Sequence, residues 1–358
     1  MRVLFIAPHL STGGMPAFLL KRIQSLQQYT DTEVFVAEWK CYSLDFTIQR
    51  KQIQELVGEN FISFLGNEES QKGIIDYCYD KKIDIIHIEE IPEGFDSHNP
   101  FNIDLQQELY SSKHPWKIVE TCHNIYFNPT ENKQVNPDAY ACVTPYHSQV
   151  TFKNQNAYIS DIYFPIDTNI QYPSTREEVL TKNGWLTKGE FHIVNIGLFT
   201  PGKNQKYAIE IAKELYKKYG YTYIFHFIGN QAPNFSDYWK PLMSDLTPNI
   251  HIHGERDDTS MFFKMCDLML FTSTWECNPI VLKEAISNNI KIMAYNLDHY
   301  GDEYTNYITP LTGNIDIDKQ NLIDTIFTEP KYNIESTNTS VEDFANKHLE
   351  LYQKLLNG

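Results

Sequence analysis

Residues 191–219 read FHIVNIGLFTPGKNQKYAIEIAKELYKKY. Phe191 to Ile196 is an apolar run, Gly197 to Lys203 is a glycine-bounded turn, and Asn204 to Tyr219 carries Ala208, Ile211, Ala212, Leu215 and Tyr219 at helical spacings of three and four. Near-continuous hydrophobicity predicts a strand covered on both faces, and a strand that feeds a helix predicts a right-handed crossover in a parallel sheet. The same pattern follows at Tyr221 to Ile228, Ile250 to His253, Leu268 to Thr272 and Lys291 to Tyr295. It also fills the first half of the chain, at Val3 to Ala7, Glu33 to Ala37, Phe61 to Leu65, Asp84 to Ile88, Lys117 to Thr121 and Ala139 to Val143. The expectation is an α/β protein of two tandem Rossmann-like domains, residues 1–166 and 167–339, separated by a polar stretch that begins at Gln171. Ser340 to Leu356 reads as a last helix. Its Ser N-cap precedes Phe344, Ala345, His348, Leu349, Tyr352 and Leu355 or Leu356 on one side, a face that needs a surface to cover. Tandem doubly wound domains are expected to face across a cleft, and ligands bind outside the strand ends of such sheets.

At about 150 residues per domain, 358 residues suit two domains. Hydrophobic residues at 42% and charged residues at 21% exclude wholesale disorder. The formal charge of -16 disfavours a nucleic-acid partner, which needs phosphate attraction over a broad face. Small anions remain compatible with an acidic chain, because helix N-termini and backbone nests hold phosphate locally. Cys41, Cys78, Cys122, Cys142, Cys266 and Cys277 show no metal-binding spacing and read as reduced thiols. The N-terminal run reads as a strand rather than a signal peptide, and no apolar stretch reaches the roughly 18 residues of a membrane span. A cytoplasmic protein is expected, with peripheral membrane contact left open.

The segment with most chemistry is Trp275-Glu276-Cys277-Asn278-Pro279-Ile280-Val281-Leu282-Lys283-Glu284-Ala285. A helix starting at Pro279 would offer free N–H groups to a phosphate, Glu284 could accept two hydrogen bonds from a vicinal diol, and Glu276 could hold hydroxyls beyond the phosphate. Gly13 and Gly14, after the first strand, let backbone approach a ligand, although no G-x-G-x-x-G fingerprint of dinucleotide binding is present. His251 and His253 read as ordinary strand residues. Asp316-Ile317-Asp318 reads as the N-terminal cap of a helix rather than a metal site.

In their order and spacing, Thr12-Gly13-Gly14, Asp84-Ile85-Ile86-His87, Glu120-Thr121-Cys122-His123-Asn124, Phe164-Pro165-Ile166-Asp167, Gly197-Leu198-Phe199-Thr200-Pro201-Gly202-Lys203, Ile228-Gly229-Asn230 and the E-x7-E block resemble the retaining GT-B glycosyltransferases of group 1, or family 4, the glycogen-synthase-like type. The resemblance implies a hexosyltransferase-like enzyme. Its second domain would hold a nucleotide sugar such as a UDP- or GDP-sugar, and its first would present a glycan, lipid-linked or small-molecule acceptor. It also implies a last helix crossing back to the first domain. Carried over residue by residue, His123 contacts the transferred sugar, Lys203 pairs with the donor diphosphate, and Glu276 and Glu284 hold sugar and ribose. Gly13, Gly14, Asn278, Ile280 and Val281 complete the donor contacts. No cofactor or metal is implied. The usual Arg after the turn glycine is Leu198 here, so one diphosphate cation is missing unless a residue such as Arg256 replaces it. Two other readings use the same residues: a viral-type transferase acting on modified DNA bases, and a catalytically silent nucleotide-sugar-binding scaffold.

Overall fold

The computed structural model describes residues 1–11, 13–40, 47–64, 71–94, 102–165, 175–185, 189–297, 300, 302–330 and 340–358. Thr12, Cys41, Leu65, Ile166, Asp167 and part of the polar stretch from Gln171 to Glu190 lie outside the described residues. The chain divides into two compact units, Met1–Pro165 with Thr339–Gly358, and Ile166–Asn338.

Unit 1 is built on seven strands, β1 (Arg2–Ala7), β2 (Glu33–Glu38), β3 (Phe61–Ser63), β4 (Ile85–Glu89), β5 (Lys117–Thr121), β6 (Ala139–Cys142) and β7 (Tyr158–Asp161), in the order β3-β2-β1-β4-β5-β6-β7. All pairings are parallel. One face packs Leu4, Ile6, Phe35, Ala37, Ile86, Ile88 and Ile118 into a core closed by Trp39, Ile74, Leu109 and Trp116. On the other face Phe5 and His87 lie side by side, and the helices Gly14–Tyr29 and Val341–Asn357 pack together. The last helix starts with a capping box between Ser340 and Asp343 and buries Phe344, Ala345, His348, Leu351 and Tyr352. Leu351 therefore takes the place expected for Leu349, because the buried face follows the i, i+3, i+4 and i+7 rows down from Phe344.

Unit 2 has six strands, β8 (Phe191–Ile196), β9 (Tyr223–Ile228), β10 (Ile250–Gly254), β11 (Leu268–Phe271), β12 (Lys291–Ala294) and β13 (Ile308–Pro310), in the order β10-β9-β8-β11-β12-β13, again all parallel. Ile193, Phe225, Leu270 and Met293 face the helix Gln205–Tyr219. Val194, Ile228, Met269 and Phe271 face the opposite layer with Phe262, Leu282 and Ile286. Burial on both faces is why β8 reads as a continuous apolar run.

The differences from the sequence reading fall at edges. β7 and β13 are short, only partly buried edge strands, so neither carries the apolar run that marks a central strand. Gly220–Thr222 is a tight 3-10 turn, which delays β9 to Tyr223. Within the polar stretch, Arg176–Lys182 is a helix with its own Thr175–Glu178 capping box.

Candidate functional site

In each sheet the strand order reverses beside the first strand, between β1 and β4 in unit 1 and between β8 and β11 in unit 2. The loops leaving the carboxyl ends of those strands diverge there, which is where doubly wound sheets bind ligands.

In unit 2 the loop after β8 is shaped by backbone contact. Gly229 has φ 148°, and a Cβ there would lie 1.9 Å from the Gly197 carbonyl oxygen, so no side chain fits. The aliphatic stem of Lys203 passes beside Gly197, with Lys203 Cδ 3.6 Å from where a Cβ would stand, an ordinary van der Waals contact. The stem aims the ammonium group at Glu276, which leaves the loop after β11, and the two form an ion pair. The Lys203 side chain is 30% exposed and that of Glu276 8%. Thr272, Ser273 and Thr274 bond the carbonyls of Lys203 and Gly202 and lock the two loops together.

Pro279 is the N-cap rather than the first residue of the helix Ile280–Ser287, and its side chain makes no capping hydrogen bond. Ile280 and Val281 contribute its first N–H groups, which point outward with the positive end of the helix dipole. The Asn278 amide oxygen accepts from the Tyr304 hydroxyl at 3.2 Å. Glu284, half-buried, lies one turn into the helix. Arg256 is held by both oxygens of Asp258 in its own loop, at 2.7 and 2.6 Å.

In unit 1, Gly13 is the N-cap of Gly14–Tyr29 with an extended backbone, and among the described residues a Cβ on Gly14 would meet nothing within 4 Å. The fold does not require glycine at Gly14. Leu10, in the same loop, donates its N–H to buried Glu38 at 2.9 Å, and Arg50 pairs with that carboxylate. His9 lies near His123 and Arg50, and burial first, then those charges, lower its pKa to about 4.

His123 follows β5. Its Nε2 lies 3.0 Å from Glu89 Oε2, and its backbone N–H donates to Glu90 Oε1 at 3.2 Å. Glu90 has φ 79°, a strained conformation for a non-glycine residue that turns its carboxylate back toward His123. Behind it, buried Arg22 pairs with Glu89 and donates to Thr121 at 3.2 Å. Glu120 and Glu93 clamp Lys133 at 2.7 and 2.8 Å, which ties down the segment after His123. Burial outweighs the lysine and raises the Glu120 pKa to about 7. His9, Arg22, Glu89 and Glu90 were not singled out from the sequence. His9 alone had a visible signal, its place between the first strand and Gly13-Gly14.

The D-x-D motif does not converge on one point. Asn314 caps the helix Ile315–Ile326, and so corrects the expectation that Asp316 to Asp318 would. Asp316 pairs with Lys319 at the surface, whereas buried Asp318 accepts from Thr312, Gly313 and Tyr207. His251 and His253 also prove less ordinary than expected. His192, His226 and His253 form a hydrogen-bonded chain across β8, β9 and β10 with links of 3.0 Å, and Trp185 packs on it. Only the middle ring, His226, uses both nitrogens in the chain, donating through one and accepting through the other, so a second proton on it would set N–H against N–H. Burial first, then the neighbouring rings or Arg176, lower His192 to about 4, and His253 is likewise lowered to about 4. Among the described residues no group of three or more His, Cys, Asp or Glu is arranged to hold a metal ion.

Residues 177–321 match the family model described as "Glycosyl transferases group 1". No curated protein matches the chain by sequence. Among solved structures, Alr3699/HepE of Anabaena in complex with UDP and glucose aligns with a TM-score of 0.75 at 16% identity, covering 99% of each chain. Sucrose-phosphate synthase of Thermosynechococcus elongatus aligns at 0.71 and 12% identity over 100% of this chain and 99% of its own. A glycosyltransferase of Rickettsia africae aligns at 0.69 and 15% identity, with 100% and 99% coverage. These likenesses establish a shared two-domain α/β fold, the GT-B architecture expected from the sequence.

Proposed function

We propose that the chain is a retaining, metal-independent glycosyltransferase that moves a sugar from a nucleoside diphosphate sugar to a hydroxyl acceptor. The observation that carries this reading is the Lys203–Glu276 pair at the strand-order reversal of unit 2, inside the segment that matches the group 1 family model. In the free protein the cation and the carboxylate satisfy each other. When donor binds, Lys203 transfers to the diphosphate and Glu276 is released to the sugar hydroxyls, so one exchange serves both ends of the scissile bond. The N–H groups of Ile280 and Val281 support the diphosphate, Asn278 lines the same loop, and Glu284 takes the ribose diol. Gly13 and Gly14 leave room for close backbone approach, and His123 holds the transferred sugar.

The reaction follows as a same-face displacement in which the departing diphosphate assists deprotonation of the acceptor. Orientation and stabilisation of charge on the leaving group do most of the work. Saturation of Asp318 by Thr312, Gly313 and Tyr207 supports independence from a D-x-D metal. UDP-sugars are the first donors to try, with GDP-sugars next, against glycan, lipid-linked and small-molecule acceptors. A screen of these donors for thermal stabilisation and hydrolysis, repeated in EDTA, tests the assignment. Stabilisation and turnover by at least one donor are expected, and no response to any would contradict it. Leu198, which leaves the diphosphate one cation short, favours the second reading of a silent nucleotide-sugar binder; stabilisation without hydrolysis or transfer would select it.

A further inference from the structure

The buried charges of unit 1 stand directly behind His123. Arg22, on the helix Gly14–Tyr29, and Glu89, at the end of β4, are both fully buried and paired. Arg22 takes Glu89 Oε1, which leaves Oε2 for His123 Nε2 at 3.0 Å. Arg22 is held in turn by Thr121 and by the rings of Phe18 and Phe5, at 4.8 and 5.7 Å from the guanidinium carbon. Phe18 also meets the His123 ring edge-on at 5.5 Å, so position and tilt of the imidazole are both fixed. A carboxylate only accepts hydrogen bonds, so the Nε2 that faces it must carry the proton. A neutral imidazole protonated at Nε2 has its lone pair on Nδ1. Among the described residues no hydrogen bond to Nδ1 is present, and 13% of the side chain is open to solvent.

We propose that Glu89 is the positioning residue of this site: anchored by Arg22, it holds His123 as the Nε2–H tautomer and so presents Nδ1 as a hydrogen-bond acceptor. The inference rests on the reading of His123 as a sugar contact and adds a specificity to it. The group opposite Nδ1 must be a donor, which a free sugar hydroxyl is and an ether or carbonyl oxygen is not. A donor sugar methylated or deoxygenated at that one hydroxyl is therefore rejected, whereas changes at its other hydroxyls are read elsewhere.

Nitrogen-15 spectra of histidine-labelled protein at pH 8 test the tautomer without any substitution. The wild-type His123 ring is expected as Nε2–H. In Glu89→Gln, Arg22 retains the amide oxygen and the amide N–H₂ faces the ring, so the tautomer should switch to Nδ1–H and remove the acceptor. Transfer by Glu89→Gln should fall about ten- to a hundredfold, the equivalent of one charge-assisted hydrogen bond. In the His123→Ala background the same change should cost no more than about twofold. An Nδ1–H ring in the wild type, or an equal cost of Glu89→Gln with and without His123, would overturn the inference. Full transfer by His123→Ala would instead remove the sugar-contact reading, and the specificity with it, whatever the tautomer.

Discussion

The carboxyl edges of the two sheets use charge in opposite ways. At the edge of unit 1, Glu38, Glu89 and Glu120 are buried and pair with Arg50, Arg22 and Lys133. At the edge of unit 2, Lys203 keeps nearly a third of its side chain exposed while paired with Glu276. A buried pair is expensive to separate, because the partner left behind has no water, so such pairs hold loops in place. A pair with one member partly open to solvent costs less to open and can exchange that partner for a ligand. Under the proposed function, unit 1 is a rigid platform for His123, and unit 2 trades an internal contact for a phosphate.

The sharpest test of that contrast is stability. Arg22→Ala strands Glu89, and loss of one member of a buried pair costs about 3–5 kcal/mol. Thermal melting should drop by roughly 10 °C or more, at a few degrees per kcal/mol for a unit of this size. Lys203→Ala should lower the melting temperature by clearly less than Arg22→Ala, since Lys203 keeps 30% of its side chain exposed and water entering the vacated space can solvate the Glu276 carboxylate left behind. A comparable drop for both variants would erase the distinction between platform and exchange surface.

Function should respond in the reverse order. Lys203→Ala should lower turnover by about a hundredfold or more, the usual cost of one preorganised charge donor at a leaving group. Gly14→Ala should separate the two properties in unit 1. Its Cβ meets no atom of the described residues within 4 Å, so the melting temperature should hold or rise slightly, while turnover falls if donor or acceptor approaches this backbone. Steady-state rates beside calorimetric melts would settle it, and unchanged turnover would release Gly14 from the site.

Acid supplies a smaller effect, set by histidines buried inside both units. His192 and His253 titrate at about 4 in the fold against 6.5 in the unfolded chain, and His226 and His251 are also lowered. The unfolded chain therefore binds more protons below 6.5, so the stability these residues provide is complete above that pH and declines as pH falls toward 4. His87 and His348 impose the same sign on unit 1. Replacement of His226 by Gln should consequently shrink, not abolish, the difference in melting temperature between pH 7.5 and pH 5. An undiminished difference would show that the histidine chain is not a source of the acid sensitivity.

What the sequence disclosed follows from which signals are local. Central strands such as β8 and β4 are buried on both faces and announce themselves as apolar runs, whereas β7 and β13 lie at sheet edges and do not. Lys203 and Glu276 are legible because each follows a strand in a recognisable turn, but their mutual pairing spans 73 residues and leaves no local trace. Arg22 and Glu89 leave no local trace for the same reason: an arginine in a helix and a glutamate at a strand end look solvent-facing until the sheet brings them together. The histidine chain needs three strands in register, so the alternation of His251 and His253 says little alone. Asp318 stands near a helix start in the sequence, yet its partners Thr312 and Tyr207 come from a turn and a different helix.

In the proposed exchange, Lys203 serves the donor diphosphate while Glu276 serves the sugar, each released from the other. Calorimetric titration of free UDP in EDTA, on wild type, Lys203→Ala and Glu276→Gln, tests it most directly. Lys203→Ala should weaken UDP about tenfold or more, the loss of one charge-assisted contact. Glu276→Gln, which frees the ammonium group from its internal partner, should bind UDP at least as tightly as wild type while losing sugar transfer. Weakening of UDP by Glu276→Gln to the same extent as by Lys203→Ala would contradict the exchange and the division of labour built on it.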